Sequence, residues 1–433
     1  MDKTDTDKSE KLKRLLNILS CSKIDMDEVL DSMESMGNKK ILEKHTYAIT
    51  QNKDGRFSTY VPDDTKPNHR RKIVKPSREL LEKEIIRFYR EREAEDSRGE
   101  ICLRNFYEEW LAYKSLHTNS SSYLKTIDEL WKRYYANDPI ADVPFVKLDK
   151  YRLDRWVHTL IREKSLTKKQ YYNMAIIMRQ SLDLAVEKGI LQENPFSKIK
   201  VDTKLFAPVR KKADETQVYL LDEQPLVEKE AYQDFNRINS SAPLAIPFAF
   251  QTGLRVSELA ALKWSDIGEE KENCIHIQRM ETREYERRPD GSWGGEKYTV
   301  TERTKSFAGN RNVYLTSTAR DILRQAKEHN HSQGYGDCEY IFLKNGKRAT
   351  ARDLNTILRR CCMKANISEK GMHKIRKSFI STLIDNGDIN INFIREQVGH
   401  TDERTTYGNY CFNRKPSLQT AQAMERALAH NHS

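Results

Sequence analysis

Four short segments in the second half of the chain carry side chains that could handle a phosphodiester. The first reads Thr252-Gly-Leu-Arg255-Val-Ser-Glu258-Leu. Gly253 permits a sharp entry into a helix that would set Arg255 and Glu258 three residues apart on one face. A carboxylate beside a guanidinium fixes its direction and leaves the fork open for a phosphate. The second segment, Thr304-Lys305-Ser306, precedes the loop Phe307-Ala-Gly-Asn310. An ammonium there, at the tip of an expected hairpin, could protonate a departing alkoxide. The third, Met372-His373-Lys-Ile-Arg376, presents an imidazole and a guanidinium at i,i+3. The fourth runs Val398-Gly399-His400 and reaches Tyr407 and Tyr410.

Each group alone reads as an ordinary surface or structural residue. Together, two arginines, a lysine and two histidines supply donors to the oxygens of a phosphorane-like transition state, and a phenol supplies a nucleophile. The sequence holds no carboxylate cluster for paired metals and no Gly-rich phosphate loop of the Walker type, so neither metal nor nucleotide cofactor is expected. Energy would then be conserved in a covalent phosphotyrosine.

In this order the segments TGLRVSEL, TKS, HKIR and VGHTDERTTYGNY resemble the tyrosine recombinase (phage integrase) family. The resemblance implies that Arg255 and Arg376 clamp the scissile phosphate and that Glu258 buttresses Arg255. It makes Lys305 the general acid for the departing 5′ oxygen. His373 would assist proton movement at the tyrosine, and His400 would hydrogen-bond the phosphate. Tyr410 would attack phosphorus to give a 3′-phosphotyrosyl bond, with Tyr407 as a second phenol nearby. Val398 stands where the family's box usually has leucine.

These segments need a scaffold, and 433 residues predict two to four domains, each able to bury a core. The expected fold class is multidomain, mainly α with small β-sheets. Residues 1–40 read as a helical extension, with amphipathic patterns at Leu12, Leu15, Leu19 and at Val29, Leu30, Met33, Met36, and a stop at Gly37-Asn38. Residues 41–97 read as strand, turn and strand from His45, a third strand at Arg70–Val74, then a helix from about Ser77 to Ala94. Net charge over 41–78 is +5, and basic and aromatic residues interleave there, as a sheet lying in a DNA groove would require. The resemblance implies an arm-type DNA-binding domain at that place. After a mixed-charge linker at Glu95–Gly99, residues 98–205 read as a helical bundle, with Thr167–Gln170 as a capping box and Gly189 as a helix end. The resemblance makes this bundle the core-binding domain. A polar linker, 206–215, leads to the catalytic domain, 216–433, an α+β unit with strands from about Cys274 to Leu315. Ser417–His430 reads as a tail helix after Lys415-Pro416.

Composition narrows the partners. With 75 Lys+Arg against 64 Asp+Glu the formal charge is +11, which favours a polyanion. No apolar run is long enough for a membrane span, and the first residues lack the apolar stretch of a secretory signal. Seven scattered cysteines suit neither a disulfide framework nor a zinc site. The expectation is a bacterial cytoplasmic, nucleoid-associated site-specific recombinase of a mobile element. Its implied partners are double-stranded DNA at crossover and arm-type sites, further copies in a tetrameric synapse joined by the tail, and a directionality factor. A type IB topoisomerase-like enzyme and a non-catalytic DNA-binding protein remain the alternatives.

Overall fold

The computed structural model describes residues 26–210, 212–268, 273–302, 307–400 and 412–429. The chain forms two compact units, one made of residues up to Trp110 with Trp131–Leu205, the other of Leu111–Leu130 with Phe206 onward. Among the described residues no helix is long and apolar enough to cross a membrane.

The first unit opens with α1 (Met26–Lys44), followed by a three-stranded antiparallel sheet, β1 (Thr50–Gln51), β2 (Phe57–Pro62) and β3 (Arg70–Lys75), in that order. The β2–β3 register runs from Phe57↔Lys75 to Pro62↔Arg70. Val61 on β2 and Leu81 are fully buried, whereas Arg70, Arg71 and Lys72 are exposed. Arg70 also lies over the Tyr60 ring, 4.6 Å from its centroid.

Two boundaries differ from the sequence reading. The helix α1 runs through Gly37-Asn38 to Lys44; a glycine costs a helix about 1 kcal/mol relative to alanine and does not end it by itself. The next helix, α2 (Arg78–Gly99), likewise runs through Glu95–Gly99. That stretch holds no proline, and its charged side chains are tolerated helix formers, so nothing stops the helix before the glycine.

Helices α3 (Leu103–Leu116), α4 (Ser121–Tyr134), α5 (Lys150–Glu163) and α6 (Lys168–Glu187) follow. Ser120 Oγ accepts the Tyr123 N–H at the start of α4. At α6 the Thr167–Gln170 capping box is formed, and Gly189 follows the helix with φ +68°. Tyr107 stacks on Trp131 at 4.0 Å between centroids, and Trp131 on Tyr135, so these aromatics form core.

In the second unit α7 (Glu223–Arg237), α8 (Ala245–Thr252) and the short α9 (Val256–Leu259) precede four strands: β4 (Cys274–Ile277), β5 (Met280–Glu284), β6 (Lys297–Thr301) and β7 (Arg311–Tyr314). Lys305, at the tip of the expected hairpin, lies outside the described residues, and among the described residues β6 and β7 do not pair with each other. Strand β4 pairs with β7, and β5 with β6, as two separate antiparallel ladders. The chain between β6 and β7 therefore joins two ladders. Then come α10 (Ser317–Ser332), the short pair β8 (Leu343–Lys344) and β9 (Lys347–Arg348), α11 (Ala351–Lys364), α12 (Met372–Asn386), α13 (Ile391–Val398) and the tail helix α14 (Ser417–Ala429). A continuous core of residues such as Phe248, Ile275, Val313, Leu358 and Ile375 holds α8, the β4–β7 ladder, α11 and α12 together.

Candidate active site

Arg255 ends up at the entrance of a helix, not within one. Helix α8 closes on Gly253 at φ +61°, and a Cβ there would lie 2.2 Å from the Phe379 ring. The chain then extends through Arg255 into α9, where Glu258 is the third residue. Glu258 turns its carboxylate back to the helix start: Oε2 accepts the Arg255 N–H at 3.0 Å, and Oε1 accepts Arg255 Nη1 at 2.7 Å. The expected pairing is therefore present, but it is built on a cap and not on a shared helical face. Helix-start backbone donors want an acceptor, which favours this arrangement.

Helix α12 contributes His373 and Arg376. Arg376 is fully buried, donating through Nη1 to the Gly253 carbonyl at 2.8 Å and through Nη2 to the Val398 carbonyl. Its Nη2 also lies 3.1 Å from His400 Nε2. A guanidinium has no acceptor, so this His400 nitrogen must accept and the imidazole carries its proton on Nδ1. His373, one turn earlier, opens to solvent.

Helix α13 ends at Gly399 with φ +64°, and His400 follows in a buried position. The Gly399 carbonyl accepts Arg255 Nη2 at 3.1 Å. Consecutive carbonyls at Val398 and Gly399 thus receive Arg376 and Arg255, and bring the two guanidiniums to the same turn beside His400.

Arg311 is not among the residues singled out in the sequence. It is a buried member of this site: Arg311 Nη2 donates to Glu258 Oε2 at 2.9 Å. Its one sequence signal is a basic residue at the start of an otherwise apolar alternating strand.

The electrostatics follow from this crowding. Burial alone would raise the Glu258 pKa, but Arg311, then Arg255 and Arg376, hold it at about 2. Burial and the cations Arg376, Arg255 and Arg311 push His400 down to about 3. Partial desolvation of the ring, then the cations Arg376, Lys377, Lys374 and Arg255, push His373 down to about 4. Both imidazoles are neutral at neutral pH, while among the described residues of the site three arginines outnumber one carboxylate, Glu258. The site is a concentrated positive region suited to an anion.

Lys305, Tyr407 and Tyr410 lie outside the described residues. The chain resumes at Phe412, whose N–H donates to Ser381 Oγ on α12. Arg414 is buried and donates to the Tyr219 carbonyl at 2.8 Å and to Gln224 Oε1 at 2.7 Å. Sequence reasoning missed this anchor, because an arginine among polar residues carries no mark of burial.

Residues 228–415 match the phage integrase family. The ICEBs1 integrase of Bacillus subtilis (strain 168) is 23% identical over 361 residues, covering 78% of this chain and 87% of that protein. Tyrosine recombinase XerC of Bacillus licheniformis is 23% identical over 317 residues, covering 70% of this chain and 90% of that protein. The fold is similar to the Tn1549 transposon integrase in complex with transposon right-end DNA, with TM-score 0.53, 19% identity and coverage of 76% of this chain and 100% of that one. It is also similar to a lambda integrase dimer bound to a core site, with TM-score 0.50, 15% identity and coverage of 84% and 95%. The ordered basic and histidine residues, the matched segment and these relatives agree, and the segment 228–415 of this chain belongs to the phage integrase family, the tyrosine recombinases.

Proposed function

We propose that this protein is a site-specific integrase/excisionase of a mobile genetic element, cutting and rejoining double-stranded DNA through a 3′-phosphotyrosyl intermediate. The observation that carries the reading is the convergence of Arg255 and Arg376 on the adjacent carbonyls of Gly399 and Val398, beside His400. In this reading the two guanidiniums and His400 bind the non-bridging oxygens of the scissile phosphate. Glu258 holds Arg255 in register. The Tyr410 phenol gives up its proton with help from the neutral His373, and its oxygen forms a bond to phosphorus. As the bond to the 5′ oxygen breaks, Lys305 supplies that oxygen with a proton. A 5′-hydroxyl from a second strand reverses the sequence, so the phosphodiester energy is kept in the phosphotyrosine. A bound phosphodiester adds negative charge that opposes the surrounding cations and lifts both imidazole pKa values toward their ordinary range.

The same reading gives the β1–β3 sheet, with Arg70, Arg71 and Lys72 exposed, to arm-type DNA, and residues 98–205 to the crossover site. Further copies assemble on DNA through the tail helix, and a directionality factor adjusts excision in the bacterial cytoplasm.

A nicked suicide substrate tests the chemistry. The protein should form a covalent adduct at the 3′ phosphate, and Tyr410→Phe should abolish it while noncovalent binding persists. An adduct retained in Tyr410→Phe moves the nucleophile to another residue, Tyr407 first. No adduct from the unaltered protein on its own element's DNA ends overturns the reading. A two-site recombination assay beside a relaxation assay separates strand exchange from topoisomerase activity.

A further inference from the structure

Glu258 is served by two arginines of unequal exposure. The Arg311 side chain is 6% exposed and that of Arg255 27%, while Glu258 itself is 2% exposed. Arg311 reaches both carboxylate oxygens, Nη1 to Oε1 at 3.2 Å and Nη2 to Oε2 at 2.9 Å. Arg255 reaches Oε1 with one nitrogen and gives its other to the Gly399 carbonyl. Two further donors of Arg311 are also used. Its Nε donates to the Gln397 carbonyl at 2.8 Å, three residues before His400, and Nη1 to the Gly309 carbonyl at 2.9 Å, four residues after Lys305. The fold leaves room for this side chain, since a Cβ on Gly399 would sit 3.2 Å from Arg311 Cδ and Nη1.

We propose that Arg311 is a positioning residue for phosphate activation: it balances the Glu258 charge from within, so that Arg255 keeps its own charge for the substrate. In so poorly hydrated a place the charges must balance among themselves. Two guanidiniums around one carboxylate leave one net positive charge, and the exposed partner is the one able to express it. Without Arg311 the carboxylate is neutralised by Arg255 alone, and the phosphate meets a neutral pair. Arg311 also ties together the chain segments leading to His400 and away from Lys305, so its loss loosens three approaches to the phosphate at once. The inference rests on the recombinase reading above, and it goes beyond it by assigning a role to a residue that touches no reacting atom.

The experiment uses the full chain and the nicked suicide substrate under single-turnover conditions, with noncovalent DNA binding measured in parallel. Arg311→Met should slow adduct formation by about a hundredfold, the scale of losing one preorganised electrostatic partner, with much less change in binding. Combining it with Glu258→Gln removes the unbalanced carboxylate, and this double variant should cleave about tenfold faster than Arg311→Met alone. Arg311→Lys, which keeps a cation beside Glu258, should also cleave faster than Arg311→Met. A merely structural arginine would not produce either recovery. Wild-type rates in Arg311→Met, or a double variant no faster than the single one, overturn the proposal. If Arg311→Met does not fold, Arg311→Lys and the double variant still decide. Both falling as far below wild type as Glu258→Gln with Arg311 intact, or further, would overturn it, and either one exceeding that variant would support it. Absence of adduct with the unaltered protein would instead be a failure of the recombinase reading.

Discussion

Glu258 collects four donors on one carboxylate, two from the main and side chain of Arg255 and two from Arg311. A buried carboxylate so held is worth little against an apolar replacement of both sides, yet costly to break from one side. Glu258→Gln, which keeps the shape and deletes the charge, should lower stability by about 3 kcal/mol, measured by denaturant unfolding with unchanged slope. The histidines make a separate prediction. The folded pKa of His400 lies at about 3, below the ordinary 6.5, so the unfolded chain binds more protons between those values. Stability is therefore complete above pH 6.5 and is lost as pH falls below it. For this buried imidazole the loss should be on the order of 2 kcal/mol between pH 6.5 and 5. His400→Asn should flatten that part of the unfolding profile, and an unchanged profile would contradict the burial argument. Arg255, Glu258, Arg376 and His400 could be singled out in the sequence because each sits in a short segment with distinctive local spacing, and the structure brings these four together. Arg311 was not, since its importance comes from a partner 53 residues away that no local spacing reveals.

Helix ends do the positioning in this molecule. Gly253 and Gly399 both leave their helices in left-handed conformation, and each turn presents a carbonyl to an arginine of the site. Gly399→Ala would place a Cβ 2.7 Å from the Ala308 carbonyl oxygen as well as straining the backbone. It should cost about 2 kcal/mol or more and misplace His400, seen as a lower melting temperature together with slower DNA cleavage. By contrast Thr167→Ala removes a cap in the other unit and should cost about 1 kcal/mol with cleavage unaffected. That capping box could be read directly from sequence, because its chemistry is local. Gly37 and the Glu95–Gly99 stretch misled for the opposite reason. A glycine or a charged run ends a helix only when tertiary packing offers the chain somewhere better to go, and here the helices continue. The strand-rich span was visible as alternation, but which strands pair was not, since pairing depends on contacts across tens of residues.

At the scale of the whole molecule, a net charge of +11 predicts that affinity for DNA is steeply salt-dependent. Between about 50 and 200 mM salt the binding constant should fall by about a thousandfold or more, read by fluorescence anisotropy. The tail gives a second test. Arg414 is buried, but Met424 and Leu428 on α14 are 65% and 56% exposed. Ending the chain after Lys415 therefore keeps the anchor and removes the exposed helix. Such a protein should bind DNA as before yet fail to form higher assemblies in native gel or sedimentation measurements, and intact assembly would reject the tail as the coupling element. Overall architecture was legible as helices flanking small sheets, whereas the grouping of Leu111–Leu130 with the second unit had no trace in composition or periodicity. The two ladders that flank Lys305 have a further consequence. Because β6 and β7 answer to different partners, spare residues threaded between them would shift neither pairing, and doubling the length of that span costs only about 0.6 kcal/mol in closure entropy. Protein engineers could thus splice extra residues in ahead of Phe307 while both ladders, and the Gly309 carbonyl that Arg311 holds, keep their places.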